Sequence, residues 1–368
     1  MACIALQRGR SYTTKYILGS ISMQNWYQHL PASAQAAFAN LVPAAQSTSS
    51  NRTVADLPGG FTQKKLGQKT YWYYQFKSLD GKTRQIYLGN DSESLRGLIA
   101  DFKEQPSHAE ALAHLGRLCR SAIELGANAI GRTHHRILQR LADHGFFHAG
   151  GILIGTHAFL AYQNHFGIRW TEGNQTLDID FAHPGNNLSI ALPDGLKMDA
   201  RSVIESLEMG FIPNVSQTTF TKQDEPDLQL DFVTPKVNTT DNPIRVHALN
   251  LSMQPLQFMN FSMDATMQAV LISRNGPVAI NVPKAERYAL HKLIVFGERP
   301  PELQVKAQKD IAQAASLIAY LQENEPDALE EAWEMIQRSG KGWISRCVRG
   351  ADYLQSRYPD VKLDFIKT

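Results

Sequence analysis

Gly150-Gly151-Ile152-Leu153-Ile154-Gly155-Thr156-His157-Ala158, then Thr176-Leu177-Asp178-Ile179-Asp180-Phe181, then Leu228-Gln229-Leu230-Asp231-Phe232-Val233, are the three stretches whose reading decides the fold. The first is an apolar run ending in a small-residue turn, the second an Asp-x-Asp inside an apolar strand, and the third carries one more strand aspartate. Strand side chains alternate between faces, so Asp178 and Asp180 share one face while Leu177, Ile179 and Phe181 pack on the other. Carboxylates held this way suit Mg²⁺ or Mn²⁺, which take oxygen ligands from one or two acids plus substrate phosphates. With Asp231 as a third acid, two ions can be held, and the parts are those of a two-metal phosphoryl-transfer site. Gly155 and Thr156 precede a helix expected from about His157 to Phe166, so backbone N–H groups and the helix dipole favour a phosphate at that turn. The plain alternative is a pair of aspartates facing solvent on an edge strand; the glycine turn and the similarly flanked Asp231 weigh against it.

Working outward, the core is expected to run from Gly145 to about residue 284. Strands are expected at Ile152–Ile154, Leu177–Phe181, Leu188–Leu192, Thr218–Thr221, Leu228–Val233, Met267–Ser273 and Val278–Val282, with one helix at Asp199–Met209 and a turn at Asn275-Gly276-Pro277. Upstream, Trp26, Leu30, Ala34, Phe38, Leu41 and Val42 recur at helical spacing around Pro31 and predict two short helices between Gln24 and Gln46, followed by a linker over Ser47 to Gly60. Tyr71-Trp72-Tyr73-Tyr74-Gln75-Phe76 and Arg84-Gln85-Ile86-Tyr87-Leu88 flank Asp80-Gly81, a strong hairpin signal, and predict a small two-stranded ribbon. Ser92 to Leu141 reads as helix with one break at Gln105-Pro106-Ser107, and the chain from Ala285 onward reads as almost all helix. The expected division is 1–66, an N-terminal helical segment and linker; 67–144, a β-hairpin with helices; 145–284, the core; and 285–368, a helical domain.

The 368 residues are 43% hydrophobic, enough for a substantial core in two or three modules. With 37 basic and 35 acidic residues the net charge is +2, so any attraction to nucleic acid has to come from a local patch. Cys3, Cys119 and Cys347 are odd in number and far apart, which fits neither a disulfide framework nor paired zinc ligands and points to a reducing cytoplasm. No stretch has the length of apolar residues a spanning helix needs. Residues 1–22 are odd in composition, and a better helical pattern begins at Met23, which makes Met23 a candidate start.

The order of apolar strand, Gly-Thr turn, Ala-Phe-Leu helix, Thr-x-Asp-x-Asp and a later strand aspartate resembles the nucleotidyltransferase superfamily with its polymerase-β-like core. Over about Trp72 to Leu321 the chain is similar to uncharacterised bacterial nucleotidyltransferase-fold proteins with an aromatic hairpin ending in Tyr-Leu-Gly, here Tyr87-Leu88-Gly89. That pattern has Gly or Ser where this chain has Thr156. Pro283-Lys284-Ala285-Glu286-Arg287-Tyr288-Ala289-Leu290-His291-Lys292-Leu293 is similar to the Pro-x-x-Tyr-x-x-x-Lys-Leu segment of AbiE-like toxin nucleotidyltransferases. Lys309-Asp310-Ile311 resembles a further segment of that group, with Gln313 where a second acid is expected.

The resemblance implies an α+β fold: a mixed-sheet core flanked by helices, with an N-terminal helix and β-hairpin module and a C-terminal helical region. It implies a magnesium-dependent enzyme that binds an NTP on the Gly155-Thr156 turn, with Lys292 and Asp310 beside the nucleotide. Two ions on Asp178, Asp180 and Asp231 would serve transfer of an NMP to a hydroxyl with release of pyrophosphate. A tRNA or other RNA end, a protein or a small molecule fits as acceptor, and a toxin, defence or housekeeping role is equally compatible. The rival expectation is a non-catalytic nucleotide- or RNA-binding module on the same core. A third, a hydrolytic enzyme with paired carboxylates, needs acids on opposite sides of a substrate, whereas Asp178 and Asp180 sit together.

Three features outside that set have two readings each. Arg132, Arg136 and Arg140 share a helix face, with Arg120 and His135 adding charge; they suit RNA or triphosphate, or an ordinary solvated face, and the latter is slightly preferred. His134, His135, His144 and His148 lack zinc spacing and read as structural. Tyr71, Tyr73, Phe76 and Tyr87, with Lys77, Lys82 and Arg84, could stack on bases, but the commoner role of such residues is to pack a thin ribbon.

Overall fold

The computed structural model describes residues 25–50, 59–77, 82–104, 108–173, 176–185, 198–237, 241–298 and 304–366. The described residues open with β1 (Tyr27–His29) and one long α1 (Ala32–Ser50). One continuous helix replaces the two expected: Pro31 ends up just ahead of the helix, and alanine-rich sequence carries it through Pro43. Ala34, Phe38, Leu41 and Ala45 form its buried stripe.

The two-stranded ribbon is in fact a three-stranded antiparallel sheet of β2 (Gly59–Leu66), β3 (Lys69–Lys77) and β4 (Thr83–Asn90), in the order β2-β3-β4. The expected linker hid β2, because its Gly-Gly start and alternating polar residues read as loop. Leu66 pairs with Lys69 across a two-residue turn in which Gly67 holds φ +63°, a conformation that favours glycine. The expected boundary at 66/67 falls in that turn, and Asp80-Gly81 lies outside the described residues, as do Met23 and residues 105–107. The next helical stretch resolves into α2 (Glu93–Glu104), α3 (His108–Glu124) and α4 (Arg132–Asp143), so a second break comes after Glu124.

The core elements are β5 (Ile152–Leu153), α5 (Gly155–Phe166), β6 (Ile168–Trp170), β7 (Ile179–Ala182), α6 (Ala200–Glu205), β8 (Phe211–Pro213), β9 (Thr219–Lys222) and β10 (Glu225–Pro235). They continue with β11 (Ile244–Val246), β12 (Leu251–Leu256), α7 (Met259–Met263), β13 (Thr266–Ser273) and β14 (Gly276–Pro283). A mixed sheet runs β11-β12-β10-β7-β5, with β9 on β10 and β8 on β9. β7 and β12 are both parallel to β10, while β5 is antiparallel to β7. β1 pairs with β6, tying the segment ahead of α1 to the core, and β13 with β14 forms a separate hairpin.

Several boundaries move. α5 begins at Gly155 rather than His157, and α6 is shorter than expected, with Asp199 as its N-cap accepting from the Ser202 amide at 3.1 Å. Ser273 faces Gly276 in the β13–β14 hairpin, so the turn is Arg274-Asn275, one residue earlier than expected. The strand expected at Leu188–Leu192 lies outside the described residues.

The C-terminal region is helical as expected, in α8 (Ala285–Glu298), α9 (Gln304–Asn324), α10 (Pro326–Ser339) and α11 (Lys341–Arg357). From Asp310 to Ile318 every residue of α9 is buried, which marks it as a central helix rather than a surface one. One apolar cluster runs from Trp26 through the sheet to Phe365 and joins α8 and α9 to the strands that bear the aspartates.

Candidate active site

The site starts from alternation on two neighbouring parallel strands. In β7, Ile179, Phe181 and Ala182 are buried and Asp180 is half-buried; in β10, Leu230 and Phe232 are buried and Asp231 is half-buried. Asp231 pairs with Asp180 and Phe232 with Phe181, so the two carboxylates lie side by side on one face. On the opposite face Phe181 and Phe232 stack at 5.1 Å, with Phe146 edge-on to both. This aromatic layer fixes the strand pair that carries the acids. Asp178 is exposed and lies just ahead of β7 rather than within it.

The glycine turn fits against Asp180. The Ile154 amide donates to the Asp180 carbonyl at 2.9 Å, and a Cβ on Gly155 would lie 1.8 Å from Asp180 Oδ2. Thr156 is 2% exposed, and its hydroxyl accepts from Gln313 Nε2 at 3.2 Å. Its side chain is therefore engaged on the interior side, and the turn's contribution toward an anion comes from the first backbone N–H groups of α5, which have no intrahelical acceptors.

Gln313, which the sequence marks as a missing acid, is a fully buried hub in the fold. Its amide nitrogen also donates to the Gly173 carbonyl at 2.9 Å, and its oxygen lies 2.9 Å from the Tyr288 hydroxyl. That hydroxyl is also 2.8 Å from the Gly155 carbonyl. A carboxylate at 313 would lack both N–H donors. The chain thus uses an amide to lock α5, α8, α9 and the Gly173 segment together.

Lys292 follows Tyr288 by one helical turn, and its ammonium meets Asp310 at 2.5 Å while lying 5.0 Å from the Tyr288 ring centre. Burial pushes the Asp180 carboxyl up to about 6; Lys292 and Lys309 oppose that rise, while Asp231 and Asp178 add to it. Burial also raises Asp231, offset in part by the Thr219 hydroxyl, which donates to Asp231 Oδ1 at 2.6 Å. Burial likewise pushes the Tyr288 hydroxyl well above its usual range, and the negative charges of Asp310 and Asp180 add to that. Asp178, Asp180, Asp231, Lys292 and Lys309 therefore act on one electrostatic neighbourhood. Lys309 belongs to the Lys309-Asp310-Ile311 segment marked by resemblance, whereas Thr219 had no signal in the sequence and reaches Asp231 only through the pairing of β9 with β10.

Two adjacent, partly desolvated carboxylates of like charge form an oxygen donor set that suits a hard divalent cation completed by substrate phosphates. Asp180 and Asp231 fit that role. Among the described residues, no three His, Cys, Asp or Glu side chains form a ready-made ligand cluster.

The other basic and histidine features resolve differently. Arg136 donates to the Leu207 carbonyl at 2.6 Å and Arg140 to Ser206 Oγ at 3.0 Å, so two of the three arginines tie α4 to the end of α6. Arg132 is exposed. His134 Nδ1 lies 3.1 Å from Nε2 of His157, whose side chain is fully buried. Burial, reinforced by His134, pushes His157 down to about 3.

A model of the nucleotidyltransferase family matches residues 132–338, from the start of α4 to the end of α10, more than half of the chain. The chain belongs to the nucleotidyltransferase family. It is a transferase, and NMP transfer is the general chemistry of that family. The matched region contains every candidate site residue of this nucleotidyltransferase, from Gly155 to Gln313, but not the aromatic Tyr-Leu-Gly strand, so it begins later than the resemblance read from Trp72 and ends later than Leu321. Comparison of the nucleotidyltransferase with curated proteins and with solved structures gave no match. No described helix is long and apolar enough to cross a membrane.

Proposed function

We propose that this protein transfers an NMP from an NTP to a hydroxyl acceptor in a magnesium- or manganese-dependent reaction on a polymerase-β-like core. The observation that carries the reading is the pairing of Asp180 with Asp231 on parallel strands, against the Gly155 turn and within reach of the Lys292 charge. Asp180 and Asp231 would hold the divalent ion, with Asp178 at the entrance to β7 available to a second. When bound, such ions orient the α-phosphate and offset charge on the attacking and leaving oxygens.

The chain's own groups account for the rest. Backbone N–H groups at the start of α5 receive phosphate oxygens, and Lys292 adds positive charge where pyrophosphate develops. Asp231, raised by burial and steadied by Thr219, takes the proton from the acceptor hydroxyl. The acceptor oxygen then bonds to the α-phosphorus as the α–β anhydride bond breaks, and pyrophosphate leaves with that bond's electron pair.

The test is incubation of the purified protein with each of four α-³²P-labelled NTPs, Mg²⁺ or Mn²⁺ and cellular RNA, beside Asp180→Asn and Asp231→Asn. Label on RNA, on the protein or on a small molecule, seen with the wild type and lost in both variants, supports the reading and identifies the acceptor. Equal labelling by wild type and variants sinks it.

A further inference from the structure

The β2-β3-β4 sheet lies outside the matched family region, and its two faces differ. On one, Tyr74 and Phe76 are buried, Phe61 packs edge-on against Tyr74 at 5.1 Å, and Trp72 Nε1 donates to Asp91 at 2.9 Å. This face anchors the sheet. Strand alternation puts Lys64, Lys69, Tyr71, Tyr73, Lys77 and Tyr87 on the other. There Tyr73 pairs directly with Tyr87, their rings 5.5 Å apart, and Tyr71 lies 6.1 Å from Tyr87. Tyr87 is 55% exposed, and Lys64 sits over the Tyr73 ring at 5.1 Å.

The charge of this element departs from that of the whole molecule. The three strands contain Lys64, Lys65, Lys69, Lys77 and Arg84 and not one acid, whereas the full chain is nearly balanced. The exposed Tyr87 ring beside the half-buried Tyr71 and Tyr73, among lysines and on a sheet anchored from behind, gives the elements of a surface that stacks bases and neutralises phosphates. Gln85 donates to Gln75 at 2.7 Å on the same face, two residues along the strands from the Tyr73–Tyr87 pair, placing amide groups where a 2′-hydroxyl can be read.

We infer that the Tyr71-Tyr73-Tyr87 face of this sheet binds single-stranded RNA, its tyrosines stacking on successive bases and Lys64, Lys69 and Lys77 meeting the phosphates. This surface is separate from the carboxylate site, and its occupancy does not depend on the proposed transfer.

The test is fluorescence anisotropy of the full chain with a labelled 12-nucleotide oligouridine, the matching DNA strand and an RNA duplex, over a salt series. Expected results are preference for the single-stranded RNA and a log–log salt slope near −2, roughly 0.7 per phosphate for three lysines. Tyr87→Ala should weaken binding by roughly five- to 150-fold, the range for loss of one stacked ring, and Tyr87→Phe should restore it. Lys64→Ala/Lys77→Ala should reduce the salt slope. Thermal melts of each variant identify unfolding, and the Phe and Lys variants keep the test decisive if Tyr87→Ala melts early. No binding to the single strand, equal binding to the duplex, or an unchanged Kd for folded Tyr87→Ala overturns the inference; equal binding to the DNA strand overturns the choice of RNA.

Discussion

Gly155 and Asp180 leave no room for a side chain between them: a Cβ at 155 would lie 1.8 Å from Asp180 Oδ2, and Gly155 itself holds φ +61°. Gly155→Ala is therefore expected to displace the carboxylate and to cost about 1–2 kcal/mol for the left-handed backbone alone. A shift of an ångström in a reacting group costs roughly 100-fold in rate. Single-turnover labelling and denaturant melts measure both quantities, and near-normal turnover in a folded Gly155→Ala protein contradicts the assignment.

Asp180→Asn should stabilise the fold while abolishing transfer. The carboxyl lies at about 6 in the folded protein against 3.8 ordinarily, so above pH 6 its ionised form disfavours folding. Each pKa unit corresponds to about 1.4 kcal/mol, and removal of the charge is expected to yield up to about 3 kcal/mol at pH 7.5. Urea unfolding of the metal-free protein checks this, and a lower midpoint for Asp180→Asn contradicts it.

Gln313→Glu restores the acid anticipated in the sequence yet should damage the protein. It removes the donors to Thr156 and the Gly173 carbonyl and places a carboxylate in a fully buried position. A buried polar group left without its partner costs about 1–3 kcal/mol, more when charged. A melting temperature equal to wild type for Gln313→Glu would show that the hub is dispensable.

Acid stability depends on His157. Its folded value of about 3 lies below the ordinary 6.5, so the neutral form is the folded one, and the unfolded chain binds the extra proton between those values. Stability contributed by His157 is complete above about pH 6.5 and falls as pH drops toward 3, by about 1.4 kcal/mol per unit. Asp180 works in the opposite direction over pH 3.8–6, which makes a variant comparison necessary. Between about pH 6.5 and 4.5 the stability of His157→Gln should decline less steeply than that of wild type; parallel curves contradict this.

How much of this was legible depends on which interactions are local. Ile179-Asp180-Phe181 and Leu230-Asp231-Phe232 declared their strands and their acid-bearing faces through period-two alternation, although Asp178, expected in the first of them, lies just ahead of it; the Gly155 turn declared itself through glycine. The mixed sheet was expected only from the family resemblance, and the helical C-terminus from helical spacing beyond Ala285. The pairing of Asp231 with Asp180 was not legible, since register between distant strands is set by packing such as Phe181 on Phe232. β2 was hidden by its glycines and polar residues, and β1 by a helical period that begins beside it. Gln313 read as a departure from pattern because its partners lie on other segments, and the arginine stripe of α4 kept two readings until α6 was in place to receive Arg136 and Arg140.

The Tyr288–Gln313 contact sets an order of events during synthesis. The Gly155 turn and both strand aspartates leave the ribosome long before residue 313, yet the side chain that ties that turn to α8 and to the Gly173 segment belongs to α9. Such non-local closure comes late in folding. A nascent chain that has made both strand aspartates but not residue 313 still lacks the amide that ties the glycine turn to α8 and to the Gly173 segment.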